Sequence, residues 1–134
     1  MKNIIKLLRN ILQNNIKEKL FVDGIALFNE KKFYDAHEIW EELWSEYRLK
    51  DDLFIQGLIQ LSVAFFHITN LNLKGSSNLF KKCLPKLKKF PINHRNINVS
   101  EIIICAENSE KKVNSIKKVD EFDWKLVPKI IQSI

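Results

Sequence analysis

One histidine and four carboxylates share the twelve residues FYDAHEIWEELW, Phe33 to Trp44, with two tryptophans. Imidazole and carboxylate together can hold a divalent cation or relay a proton near neutral pH, so any chemistry in this chain would start here. On a helix, at about 100° per residue, His37, Glu41, Trp44 and Arg48 fall on one line. Ala36, Trp40, Leu43 and Tyr47 form the neighbouring apolar line, while Glu38, Glu42 and Ser45 turn towards water. A second polar line lies in the next helical segment, where Gln56, Gln60, Val63 and His67 share one face of the otherwise apolar LFIQGLIQLSVAFFHIT. Glutamines and a histidine in such a helix need partners, because an unsatisfied buried polar group costs about 1–3 kcal/mol.

Several readings fit these two lines. His37 and Glu41 stand at i,i+4, the spacing by which one helix presents two metal ligands; His67 could serve as a second nitrogen ligand for a divalent metal, but the helix register argues against it. HEIWE is not HExxH, however, and no paired Glu-x-x-His of a di-iron bundle is present. A His37–Glu41 pair could instead perform acid–base catalysis, although no activated nucleophile accompanies it. The same residues could form a satisfied network that locks one helix against the next, with His37, Glu41 and Gln60 as its centre. Finally, His37, Glu41, Trp44, Gln56, Gln60 and His67 could line a binding site for a small molecule or a protein partner.

The elements that must position these residues are helical. KEKLFVDGIALFNE reads as helix A, about Tyr34–Arg48 as helix B, about Asp52–Thr69 as a central buried helix C, and about Lys74–Phe90 as helix D. Asp51 or Asp52 can cap helix C, and Pro85 is expected to kink or end helix D. A turn near residues 49–51 makes B and C antiparallel. At about 1.5 Å per residue, Glu41 then lies beside Gln56–Gln60, His37 beside Gln60–Ala64, and His67 level with Phe33 and Tyr34. Beyond Pro91 a loop leads to a fifth helix capped by Ser100, and the tail from Asp120 reads as extended and packed on the bundle. The apolar positions of MKNIIKLLRNIL repeat at helical spacing with charge opposite. They predict a first amphipathic helix, residues 1–17, packed on the bundle, with a membrane-surface or targeting segment as the alternative.

Composition narrows the function classes. The chain has 134 residues, 46% hydrophobic, with three glycines and three prolines, so a sheet built from hairpins is not expected. Two cysteines make no disulfide framework; Cys83 and Cys105 read as reduced core thiols of a protein in the cytoplasm, or in the stroma if the chain is plastid-encoded. No secretory signal or membrane span is expected. The net charge of +6 is uneven: residues 23–55 hold nine acids against four bases, and residues 56–95 hold seven bases and no acid. Lys81, Lys82, Lys86, Lys88 and Lys89 could contact nucleic-acid phosphates, but lysines opposite a Leu/Phe stripe are the usual solvated face of a helix, and no aromatic is interleaved to stack bases.

FNEKKFYDAHEIWEELW, then FIQGLIQLSVAFFH and NLNLKGSSNLFKKCL, resemble the family catalogued as domain of unknown function 309. The matching positions are Phe33, Ala36, His37, Glu38, Glu41, Trp44, Gln56, Gly57, Leu58, Ile59, Gln60, His67 and Gly75, within about residues 20–90. The resemblance implies a small all-α fold of antiparallel helices and supplies no reaction. Lys31 stands where the family usually has Gly in the A–B turn, and Ser76 where it usually has Ala. Gly57 is expected to let helix B approach near Trp44.

The sequence thus predicts an all-α antiparallel bundle of two successive helical hairpins plus a further C-terminal helix, in a single domain over 1–134. It is read as a binding or interaction module using the two polar lines. The alternative is a metal-dependent or acid–base enzyme, hydrolase-like, using His37 and Glu41.

Overall fold

A computed structural model describes residues 1–133. Five helices follow in order: α1 (Lys2–Asn29), α2 (Phe33–Glu46), α3 (Asp52–Thr69), α4 (Leu73–Leu87) and α5 (Val99–Ser115). Sequential neighbours pack on one another as two helical hairpins, α1–α2 and α3–α4, with α5 against α4. The expected all-α architecture is therefore present. Helix α3 is long and apolar enough to cross a bilayer by length and composition. Ten of its eighteen residues are buried among the other helices, which makes it the central core helix.

Both hairpins turn by the same device. At the end of α1, the Lys31 and Lys32 N–H groups donate to the Phe28 and Leu27 carbonyls; at the end of α3, Leu71 and Asn72 donate to Ile68 and His67. This is the Schellman closure, which requires a left-handed residue after the cap. Lys31 (φ 62°) and Leu71 (φ 58°) occupy it. Glycine would fit there without steric cost, so Lys31, standing where the resemblance places Gly, carries real backbone strain. Ser76 is fully buried and its Oγ has no hydrogen-bond partner, as expected for a site shaped for alanine.

Aromatic side chains join the helices in the core. Phe28 of α1 meets Phe33 and Trp40 of α2 and Phe65 of α3, and Phe65 meets Phe80 of α4 at 5.1 Å. Trp40 is fully buried and its indole N–H donates to the Phe21 carbonyl at 3.1 Å. Gly24 makes this possible, because a Cβ there would lie 2.1 Å from Trp40 Nε1. Gly57 plays the corresponding role for α4, not for α2 as expected. Its missing side chain faces Leu87, 3.0 Å from an ideal Cβ.

Four further expectations are corrected. Residues 2–29 form one continuous helix, and its first half does not pack on the bundle: Phe21 is its first buried residue. The 91–99 segment contains a two-residue hairpin, β1 (Asn93–His94) against β2 (Ile97–Asn98), turned by left-handed Arg95 and Asn96 without any glycine. Asn98, not Ser100, caps α5 by accepting from the Glu101 N–H. Helix α4 continues through Pro85 and ends at Leu87, short of the expected Phe90.

The tail is packed, as predicted, but through two 3₁₀ turns, Val119–Glu121 and Trp124–Leu126. Trp124 stacks on Phe33, and Asn29 exchanges two hydrogen bonds with the Ile130 backbone. Both cysteines are free thiols. Cys83 is a core residue, and burial pushes its pKa up to about 12. Cys105 is only partly buried and not a core thiol.

Candidate functional site

Helix α2 presents its two lines as the periodicity requires. Ala36, Trp40 and Leu43 are fully buried, whereas Glu38, Glu41, Glu42 and Trp44 are exposed. The register against α3 is also as predicted. The Phe33 and Phe65 rings lie 5.4 Å apart and the Tyr34 and Phe66 rings 5.2 Å apart, which places His67 level with the start of α2. Between Phe54 and Ile68, the only residues of α3 not buried are Gln56, Gln60, Val63, Phe66 and His67. The predicted polar line is therefore the outward stripe of the core helix. It runs beside the α2 line, and Tyr34 bridges the two at one end by touching both Phe66 and His37.

The two lines share a surface without bonding to each other. Among the described residues, no side-chain hydrogen bond joins α2 to α3, so the expected His37–Glu41–Gln60 lock does not form. Gln60 Oε1 instead accepts from Lys86 Nζ of α4 at 2.9 Å. His37 Nδ1 lies 3.1 Å from the Tyr34 carbonyl. A carbonyl only accepts, so this bond puts the proton on Nδ1 and leaves Nε2 with a free lone pair in the neutral ring. Glu41 Oε2 lies 3.9 Å from that Nε2, too far for a hydrogen bond. His67 Nδ1 is buried and has no partner.

The metal expectation fares poorly on this geometry. Among the described residues, no group of three or more His, Cys, Asp or Glu side chains converges to hold an ion. His37 and Glu41 supply two donors, and His67 does not complete them. The basic block is partly engaged internally as well: Lys86 serves Gln60, and Lys88 pairs with Glu107 at 3.2 Å. Lys81, Lys82 and Lys89 remain exposed.

A second polar cluster was not anticipated. Asp51, in the α2–α3 turn, receives a two-pronged bond from Arg95, with Nε 2.5 Å from Oδ2 and Nη2 2.9 Å from Oδ1. His94 Nε2 lies 2.8 Å from the same Oδ2. The Arg95 guanidinium covers the Phe21 ring at 4.5 Å, and the His94 ring sits against Phe54 and Phe90. The Asp51 side chain is only 14% exposed. Burial alone would raise its pKa, but hydrogen bonds and charge from Arg95 and His94 outweigh this and hold the carboxyl below its ordinary value. Asp51 stands at the N-terminus of α3 yet makes no capping bond there. Its carboxylate latches the hairpin turn instead, and the C-terminal Gln132 secures that turn by donating to the Arg95 carbonyl. Nothing in the spacing of Asp51 and His94, 43 positions apart, signals this contact.

Fold and surface together define a small five-helix all-α protein with one outward polar stripe on its core helix. Residues 21–79 match the family model described as "Domain of unknown function (DUF309)". That segment of the chain, α2 and α3 with the adjoining parts of α1 and α4, is thus similar to the family that the motifs resemble. An uncharacterized protein of Aquifex aeolicus (strain VF5) is 28% identical over 95 residues, which cover 70% of this chain and 28% of that protein. The match spans little more than a quarter of the relative's length.

Proposed function

We propose that this protein is a non-enzymatic binding module whose ligand-facing surface is the α3 stripe Gln56, Gln60 and His67 with the α2 line His37, Glu41 and Trp44. The observation that supports the reading is unpaired hydrogen-bonding capacity along a surface that also carries an exposed indole. His67 Nδ1 is buried without a partner, His37 Nε2 has a free lone pair, and Trp44, 37% exposed, lies on the His37 line about 10 Å further along α2. Exposed aromatics flanked by unpaired polar groups favour recognition, because the ring supplies contact area and the polar groups supply orientation. A ligand with an apolar edge and amide- or hydroxyl-type groups matches this chemistry. Two free thiols suit a reducing compartment, the cytoplasm or the stroma.

Indole ¹H–¹⁵N spectra of the labelled protein, recorded during titration with fractionated small metabolites and peptides, test the reading. A ligand of this surface moves the Trp44 cross-peak and leaves that of Trp40, sealed in the core, in place. Fractions that move no resonance of Trp44 or of the α3 stripe, across the whole panel, would refute it.

A further inference from the structure

The first four turns of α1 extend about 22 Å beyond the part of the helix that the bundle covers. Ile4, Ile5, Leu8, Ile11, Leu12 and Ile16 are each 46–63% exposed there. With Ile4 as origin and about 100° per residue, they occupy one arc of about 140°. Lys2, Lys6, Arg9 and Lys17 occupy the arc opposite, and no acid occurs before Glu18. A helix end in water keeps such an arc exposed only at a free-energy cost of about 25 cal/mol per Å² of apolar surface, so something should cover it.

The pattern selects among occupants. A second copy of the helix would need a narrow repeating seam and acids to pair with its cations. Here the arc is wide, Asn15 interrupts its centre in the fourth turn, and residues 1–17 hold no acid. A wide apolar arc backed by cations alone is complementary to a bilayer surface rich in anionic headgroups. Arg9 and Lys2 border the arc and can extend their stems along the apolar surface to reach phosphates. We propose that residues 1–17 are an interfacial helix that docks the protein on an anionic lipid surface, with the isoleucines and leucines at the acyl boundary. The proposal is independent of the α2–α3 stripe, which uses none of these residues.

Flotation of the full chain with unilamellar vesicles tests it. Vesicles of phosphatidylcholine with phosphatidylglycerol should bind at least about tenfold more protein than phosphatidylcholine alone. That binding should fall as salt shortens the Debye length from about 10 Å to about 3 Å. Leu8→Asp with Leu12→Asp should abolish it while circular dichroism and melting temperature stay unchanged, because both side chains are exposed. Lys6→Glu with Arg9→Glu should remove the preference for anionic vesicles. The proposal is overturned if wild type ignores both vesicle types, if it binds both equally, or if the Leu8/Leu12 variant binds like wild type. A wild-type dimer in sedimentation equilibrium that this variant converts to monomer would overturn it too, by assigning the arc to a second copy.

Discussion

The α2–α3 stripe and the Asp51 latch contain similar side chains and behave as opposites. In the latch both carboxylate oxygens are bonded, the guanidinium lies on a ring, and the imidazole is wedged between two phenylalanines. In the stripe Glu41 is half exposed, His37 and Glu41 sit just beyond hydrogen-bond distance, and His67 keeps an unpaired nitrogen. A histidine beside a carboxylate is therefore no indicator of function by itself. Saturated and wedged, it holds chain segments together; left unsaturated, it is available to something else.

The largest test of this contrast is Asp51→Ala. It leaves Arg95 and His94 without their shared acceptor in a partly buried setting, and should cost about 2–3 kcal/mol, less than a fully buried pair because solvent still screens the site. Urea denaturation measures it, and a loss as small as that of an exposed ion pair would collapse the distinction. Arg95→Lys should cost about 1–2 kcal/mol, since a point charge replaces the fork and forfeits stacking on Phe21.

Acid should separate the clusters next. The Asp51 carboxyl titrates lower in the folded chain than in the unfolded one, so its contribution is fully present above the ordinary aspartate value of about 4 and is lost as pH falls through the lower folded value. Wild type should thus lose more stability than Asp51→Asn between about pH 5 and the acid limit; parallel curves would contradict the latch. The smallest effect belongs to the stripe: His37→Ala and Glu41→Ala should each change stability by under about 0.5 kcal/mol. A larger loss from either would return the stripe to a structural role.

Much of the fold is legible in the residues. Helix α3 is found at its observed ends because every face but one is apolar, and the α2–α3 register follows from turn length and rise alone. The candidate surface is legible for the same reason: His37, Glu41 and Trp44 leave the buried line of α2 by a fixed angle, as Gln56, Gln60 and His67 leave that of α3. The partners are not legible. Gln60 is expected to bond across to α2, and the helix that supplies its hydrogen bond is α4, through Lys86. Gly57 likewise shows only that some helix comes close. Gly24, the glycine that admits Trp40, carries no periodic signal at all.

The sequence by itself determined which segments are helical and which face of each turns inward, because helical periodicity acts over a few neighbouring residues. The left-handed position at Lys31 is signalled only by the resemblance, and those at Leu71 and Arg95 by nothing in the residues. Only the tertiary structure decided what each face meets. Both halves of α1 carry apolar side chains at helical spacing, yet the second is covered and the first is open. The Asp51 latch joins a helix turn to a hairpin with no local reason to meet. Both outcomes depend on how rigid helices stack in space, and that is a property of all their surfaces together.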